Sequence, residues 1–209
     1  MINIYILYIM IPKVIYICHK TLDDTIKLYS QRWKILNPEY EVKLYDDELC
    51  KDFLLKEYSQ LHLDIFNFLE DGQIKADFWR VCILNKYGGF YIDANVKPIL
   101  VFNKFIENDA DFVACISFNY ATNLLVYNFN PHFILCNKNN IFLHNCIDIY
   151  IKQYNDKIPY NYLSWGICNL FIIDGLTKKN SHLIRINDKK FSFLYRNNEI
   201  IVNVMERFY

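Results

Sequence analysis

The run from Gly72 to Asn95 constrains the fold more than any other stretch of the chain. Ile74, Phe78, Val81 and Cys82 recur at helical spacing, and Trp79 with Ile83 widens the apolar stripe, so the predicted helix is largely buried. Gly88-Gly89 supplies residues that tolerate left-handed backbone where that helix must stop. Phe90 to Ile92 then reads as a short strand, with Asp93 at its carboxyl end and Asn95 two residues on. A buried helix that turns tightly into a strand ending in a carboxylate is how an α/β domain places polar groups at the rim of its sheet.

The flanking sequence agrees with that class. Lys13 to Cys18 is a β-branched run after Pro12 and reads as a buried strand. Thr21 with Asp24 resembles a capping box opening a helix to about Leu36, which Asn37-Pro38 stops. Val42 and Leu44 alternate with charged partners in a strand from Glu41 to Tyr45, and Asp46 is placed to cap the next helix. Further on, Asp111–Phe118, Leu124–Phe129 and Phe133–Cys136 read as strands, and Ile141–Tyr154 as a helix burying Phe142, Cys146 and Ile149. The chain is long enough, at 209 residues, to bury roughly 70% of the surface its unfolded form exposes. No repeat, low-complexity tract or linker divides it, so a single domain is expected over residues 1–209. Residues 1–10 read as an extra strand or a lead segment: they lack a basic n-region and cleavage site, and Lys13 ends the apolar run short of a membrane span.

Composition removes several function classes. With 5 glycines in all, Gly-rich phosphate loops are nearly excluded, and neither a P-loop nor G-x-S-x-G occurs. Lys+Arg and Asp+Glu are both 23, so no broad basic field exists for nucleic acid, and none is expected as a partner. The 7 cysteines form no C-x-x-C pair and read as buried thiols in a reducing compartment, and with no N-x-[ST] sequon the expected location is cytoplasmic. The 5 histidines make no H-x-x-x-H pair. Heavy use of Ile, Asn, Lys and Tyr suggests an A+T-rich genome, such as that of a large DNA virus, a low-GC bacterium or a protist.

Asp77 and Arg80, three apart, share one face of the predicted helix. Alone they would be an ordinary intrahelical ion pair. Their helix, however, feeds the strand that ends in Asp93-Ala94-Asn95, and two oxygen-bearing side chains two apart at a strand end suit a hard divalent cation against a pyrophosphate.

The string IKADFWRVCILNKYGGFYIDANV, residues 74–96, resembles the signature of the sugar-nucleotide glycosyltransferases with a DXD motif. That family includes Golgi α-1,6-mannosyltransferases and, distantly, the catalytic domains of large clostridial toxins. IPKVIYICHKT (residues 11–21) resembles its opening strand, and QRWKILNPEYEVKLYDDE (residues 31–48) its second block. The resemblance implies a GT-A type fold, a mixed sheet flanked by helices, with residues 11–97 as the donor-binding half and 98–209 as the variable acceptor half. It implies retaining transfer of a hexose or N-acetylhexosamine from a nucleotide sugar, a UDP-sugar ahead of a GDP-sugar, to a glycan or protein acceptor. Asp77, Arg80 and Asp93 fall on the family's catalytic positions, while Tyr16, His19 and Ala94 fall beside the donor. Mn²⁺, or Mg²⁺, is expected on Asp93 and Asn95, with Asn203 and Glu206 as late candidates. The sequence departs from the pattern in reading Asp-Ala-Asn, in carrying His19 where an aromatic stacks on the base, and in keeping only Ser164-Trp165-Gly166 of the C-terminal block. Asn95 offers a carbonyl oxygen without charge, so cation affinity is expected to drop. The alternative is an inactive protein that keeps the fold and binds a nucleotide sugar or glycan. No general base is evident; in retaining transfer the leaving phosphate can take the acceptor proton.

Overall fold

The computed structural model describes residues 11–98, 101–102, 112–118, 127–167, 182–186, 191–196 and 199–207. Strand β1 (Val14–Cys18) leads to α1 (Asp24–Leu36), β2 (Glu41–Tyr45), α2 (Asp47–Glu57), α3 (Gln60–Phe68) and α4 (Gly72–Tyr87). Then come β3 (Gly89–Ile92), β4 (Val96–Pro98), β5 (Phe112–Phe118), β6 (Tyr127–Cys136), α5 (Ile141–Asn155), α6 (Tyr162–Trp165), β7 (His182–Ile186), β8 (Phe191–Arg196) and β9 (Glu199–Arg207).

The strands form one mixed sheet in the order β2-β1-β3-β6-β5-β7-β8-β9-β4. β1 runs parallel to both β2 and β3, and β6 is antiparallel to β3 and to β5. Three residues, Asp93 to Asn95, join β3 to β4, a reach of about 10 Å. The far edge of the sheet, β9 with β4, is thereby carried back beside the carboxyl end of β3. Register sets Glu206 of β9 opposite Lys97, two residues beyond Asn95, whereas Asn203 pairs with Phe193.

Both faces of the central strands are buried, and the pleat divides their side chains between two cores. Ile15, Ile17, Phe90, Ile92, Phe133 and Leu135 pack with Trp33, Tyr40 and Phe102 on the α1 side. Tyr16, Tyr91, Ile134 and Cys136 pack against α2 to α5 on the other. Continuous apolar runs rather than strict alternation are what a doubly covered strand requires. Trp33 donates its indole N–H to the Val96 carbonyl, 3.0 Å away, and the fully buried Asn37 accepts from the Phe102 amide at 2.8 Å. These two bonds tie α1 and its C-cap to the chain that follows the motif.

Several boundaries differ from the sequence reading. Asp23, not Thr21, caps α1, accepting from the Ile26 amide; its carboxylate sits at the true start of the helix. Asp46 caps α2 as expected. The gap expected between residues 129 and 133 is instead the interior of one strand, β6, with a register shift against β5 between Ala114 and Cys115. Pro131 is tolerated there because a bulge asks for no ladder N–H. On α5 the buried stripe is Leu143, Cys146, Ile147 and Tyr150, while Phe142 and Ile149 are only partly packed. Leu124–Val126, Asp111, and the lead segment 1–10 lie outside the described residues.

Gly88 ends α4 at φ 65°, and Gly89 opens β3 at φ 104°. A Cβ on Gly88 would stand 2.6 Å from the Lys138 backbone nitrogen, and one on Gly89 2.8 Å from the Val14 carbonyl oxygen. Both glycines are therefore required by backbone sign and by close approach, and together they fix how α4 hands over to β3.

Candidate active site

A cleft of about 890 Å³ opens at the carboxyl ends of β1 and β3. Its size lies within the range of small-molecule sites. The walls come from Cys18, His19 and Lys20 after β1, from Asp47 and Cys50 of α2, from the first half of α4, from Asp93-Ala94-Asn95, and from α6 with Gly166.

Asp77 and Arg80 lie deep in the wall, 4% and 3% exposed. Arg80 Nη2 is 3.1 Å from Asp77 Oδ1 and 3.4 Å from Asp93 Oδ1. The helix supplies the first contact by i,i+3 spacing, and the double-glycine turn supplies the second by bringing the end of β3 back over α4. Arg80 also donates from Nε to the Ala76 carbonyl and from Nη1 to the Pro131 carbonyl, and its guanidinium stands 4.2 Å over the Tyr91 ring. Every guanidinium nitrogen is thus engaged by the protein. Asp77 Oδ2 accepts from the Ile167 amide at 3.1 Å, so α6 and its exit are pinned to α4. Burial pushes the Asp77 carboxyl up to about 6, against the pull of Arg80.

Asp93 is held from three sides. Tyr91, two residues earlier and hence on the same face of β3, donates its hydroxyl to Oδ1 at 2.9 Å. The Asp93 amide donates to the His132 carbonyl, and the Asp93 carbonyl accepts from the Val96 amide. The β6 irregularity earns its place here: the consecutive carbonyls of Pro131 and His132 face Arg80 and Asp93. Two carboxylates around one guanidinium leave the cluster with an excess negative charge when both are ionised, and Asp93 is the partly exposed member, its side chain 32% accessible.

Asn95 is exposed on the same rim, two residues from Asp93. A carboxylate and a carboxamide are hard oxygen donors that fit Mg²⁺ or Mn²⁺ in part, with diphosphate oxygens to complete the shell. Among the described residues no three His, Cys, Asp or Glu side chains converge on a metal position. The side chains of Asn203 and Glu206 lie outside that description.

Of the sequence-derived set, the structure gathers Asp77, Arg80, Asp93, Ala94, Asn95 and His19 along one cleft. His19 is exposed and its Nδ1 donates to the Thr21 carbonyl at 2.8 Å. Tyr16 requires correction: at 3% exposure it belongs to the core, packed on Tyr45, and does not line the cleft. Its position on β1 explains this: Tyr16 shares a face with Cys18 but lies two residues below the strand end that meets the cleft, within the core against α2 to α5. Sequence reasoning missed Tyr91, whose i,i+2 relation to Asp93 was a usable signal. It also missed the Pro131 carbonyl and the Ile167 amide, which had none. Trp79 lines the cleft as well, and its buried indole N–H finds no acceptor among the described residues.

Residues 23–111 match the family described as the glycosyltransferase sugar-binding region containing DXD motif. The matched segment is less than half of the chain. It holds Asp77, Arg80 and the Asp93-Ala94-Asn95 version of the motif. Among curated relatives, mannosyl phosphorylinositol ceramide synthase SUR1 of Saccharomyces cerevisiae is 34% identical over 106 residues, 47% of this chain and 28% of that protein. The initiation-specific α-1,6-mannosyltransferase of Schizosaccharomyces pombe is 27% identical over 104 residues, 47% of this chain and 26% of that protein. The chain thus aligns with about a quarter of the length of either relative. To solved structures the likeness is one of fold. The PaToxG glycosyltransferase superposes with a TM-score of 0.56 at 18% identity, covering 78% of this chain and 68% of that one, as befits a shared GT-A type fold. No helix among the described residues is long and apolar enough to cross a membrane.

Proposed function

We propose that the chain transfers a hexose or N-acetylhexosamine, with retention at the anomeric carbon, from a nucleotide sugar to a glycan or protein acceptor. A UDP-sugar is the favoured donor and a GDP-sugar the second. The observation that carries this reading is the Asp77–Arg80–Asp93 cluster at the carboxyl end of β3, its first two members buried and Asp93 partly exposed to a cleft of about 890 Å³.

The roles follow from exposure and bonding. Asp93, partly exposed and oriented by Tyr91, faces the donor diphosphate, while the buried Asp77 and Arg80 hold Asp93 and the cleft wall in place for the sugar. A divalent cation, Mn²⁺ or Mg²⁺, would be held by Asp93 and Asn95 and would neutralise charge on the leaving diphosphate. His19, exposed on the cleft rim, offers the donor a further contact. The relative named as an α-1,6-mannosyltransferase supports a hexose, while ceramide belongs to the name of the other relative.

The second reading, a nucleotide-sugar or glycan binder without turnover, is favoured by one observation: an amide at residue 95 where the motif carries its second carboxylate. Donor hydrolysis assayed with and without Mn²⁺ separates the two. The enzyme reading expects metal-stimulated release of UDP or GDP that Asp93→Ala and Asp77→Ala abolish in folded protein, and unchanged turnover in both variants sinks it. Thermal unfolding gives an independent reading. Nucleotide at 100 times its Kd adds about 2.7 kcal/mol, a midpoint shift of roughly 5–10 °C at this size. A shift needing both nucleotide and Mn²⁺ supports a metal-dependent donor site, and a shift without turnover supports the binder.

A further inference from the structure

We propose that Cys18 and Cys50 form a dithiol modification site in the cleft, which a peroxide oxidises to an intramolecular disulfide that weakens nucleotide binding. The two residues come from different elements. Cys18 ends β1, directly before His19, while Cys50 stands in the first turns of α2, its amide bonded to the Asp46 carbonyl. Parallel pairing of β1 with β2 sets Cys18 beside Tyr45, and the immediate start of α2 after Asp46 folds Cys50 back over that strand end. Both thiols line the cleft, where Cys18 packs against the buried cluster that holds Cys50. Elsewhere the thiols of Cys82, Cys136 and Cys146 are wholly buried.

The pair has the asymmetry that peroxide chemistry needs. Cys18 is partly exposed and Cys50 is 2% exposed, so oxidant entering the cleft meets Cys18 first. The neighbouring Cys50 thiol and the Arg80 charge both favour the Cys18 thiolate, whereas burial keeps Cys50 protonated. In the first step the Cys18 thiolate attacks hydrogen peroxide, giving a sulfenic acid and hydroxide. The Cys50 thiol then attacks that sulfur, the S–S bond forms and the sulfenic oxygen leaves as water once the thiol proton is taken up. Two thiols and one peroxide become one disulfide and two waters.

The consequence runs through Tyr91. Cys18 Sγ is 3.6 Å from the Tyr91 hydroxyl, which is itself bonded to Asp93 Oδ1. A disulfide removes the Cys18 thiol hydrogen, draws its sulfur toward α2 and shifts His19 with the strand end. Only this consequence rests on the donor-site reading above.

The test uses the full chain, reduced or treated with hydrogen peroxide, with peptide mass spectrometry under non-reducing conditions and binding of UDP and GDP with Mn²⁺. The expected results are a Cys18–Cys50 cross-linked peptide and nucleotide affinity lowered at least tenfold, restored by dithiothreitol. Cys18→Ser and, separately, Cys50→Ala abolish the cross-link, and Cys18→Ser, at the more exposed position, keeps affinity unchanged on peroxide treatment. Cross-links confined to other cysteines, or a Cys18–Cys50 disulfide that leaves affinity unchanged, overturn the proposal. If the reduced protein binds no nucleotide, the donor reading fails while the mass spectrum still decides whether the dithiol site exists.

Discussion

Arg80→Met tests the buried cluster most directly. The substitution keeps much of the side-chain volume but removes the one cation that contacts Asp77, a carboxylate 4% exposed, among the described residues. Removing one partner of a buried ion pair leaves an uncompensated charge, with a loss of about 3–5 kcal/mol. The bonds to the Ala76 and Pro131 carbonyls go with it, which places the expected loss at the upper end at pH 7.5. The pH dependence carries the diagnosis. With Arg80 present, burial raises the Asp77 carboxyl to about 6, above its unfolded value of 3.8. A carboxyl raised on folding binds protons more readily folded than unfolded, so stability falls as pH rises through that window and is recovered on acidification. Without the guanidinium the Asp77 carboxyl rises further, and its window extends to higher pH. The difference between parent and variant should therefore narrow between pH 7.5 and pH 5, by roughly 1.4 kcal/mol for each further unit that Arg80 had suppressed. Urea unfolding at the two pH values measures it. A loss under 1 kcal/mol at pH 7.5, or an equal loss at both, would show that the cluster is not the buried charge network described here. Asp77→Asn combined with Arg80→Met should restore part of the loss, because no unpaired charge then remains.

Three further outcomes are expected. Gly88→Ala should lower stability by at least about 2 kcal/mol in urea unfolding, since it combines positive φ with a Cβ 2.6 Å from the Lys138 nitrogen; a loss below 1 kcal/mol would mean the turn relaxes. Tyr91→Phe removes the 2.9 Å bond to Asp93 Oδ1, and nucleotide affinity with Mn²⁺ should weaken several-fold, about 1 kcal/mol, with a smaller change when metal is absent. A metal-independent loss would mean Tyr91 acts on packing alone. Asn95→Asp should tighten Mn²⁺ binding by about tenfold in calorimetry with UDP present, as one charge is added at a partly solvated oxygen site; unchanged affinity would remove Asn95 from the ligand set.

Much of the fold over residues 11–97 was legible in the sequence. α4 was readable because its apolar spacing is dense and the double glycine marks its end, and β3 with Asp93 followed from it. α2 was signalled by its Asp46 cap. The boundary errors share one cause, which is that local chemistry offers near-equivalent choices. Thr21 and Asp23 are both good caps, and Pro131 breaks an isolated strand but is accommodated where β6 slips against β5. Tyr16 was misplaced because a motif match does not show how far below the strand end a residue lies: Cys18, on the same face, reaches the cleft and Tyr16 does not. Nothing in the linear pattern announced α3 as a separate helix or the course of β7 to β9.

The sequence alone determined the elements of this cleft and the types of group in it: a helix carrying Asp77 and Arg80, a turn only glycine can make, and a strand ending in Asp93-Ala94-Asn95. Helical period, strand period and backbone sign are local properties, and residues a few apart carry them. The state of those groups was decided by tertiary structure. Burial raises Asp77, the Pro131 and His132 carbonyls commit Arg80 and Asp93, and Ile167 closes the wall from 90 residues away. Desolvation and long-range hydrogen bonds depend on which segments meet in space, and no spacing within one segment encodes that. The same meeting of segments puts Cys18 and Cys50, far apart in the sequence, on the wall of one cleft.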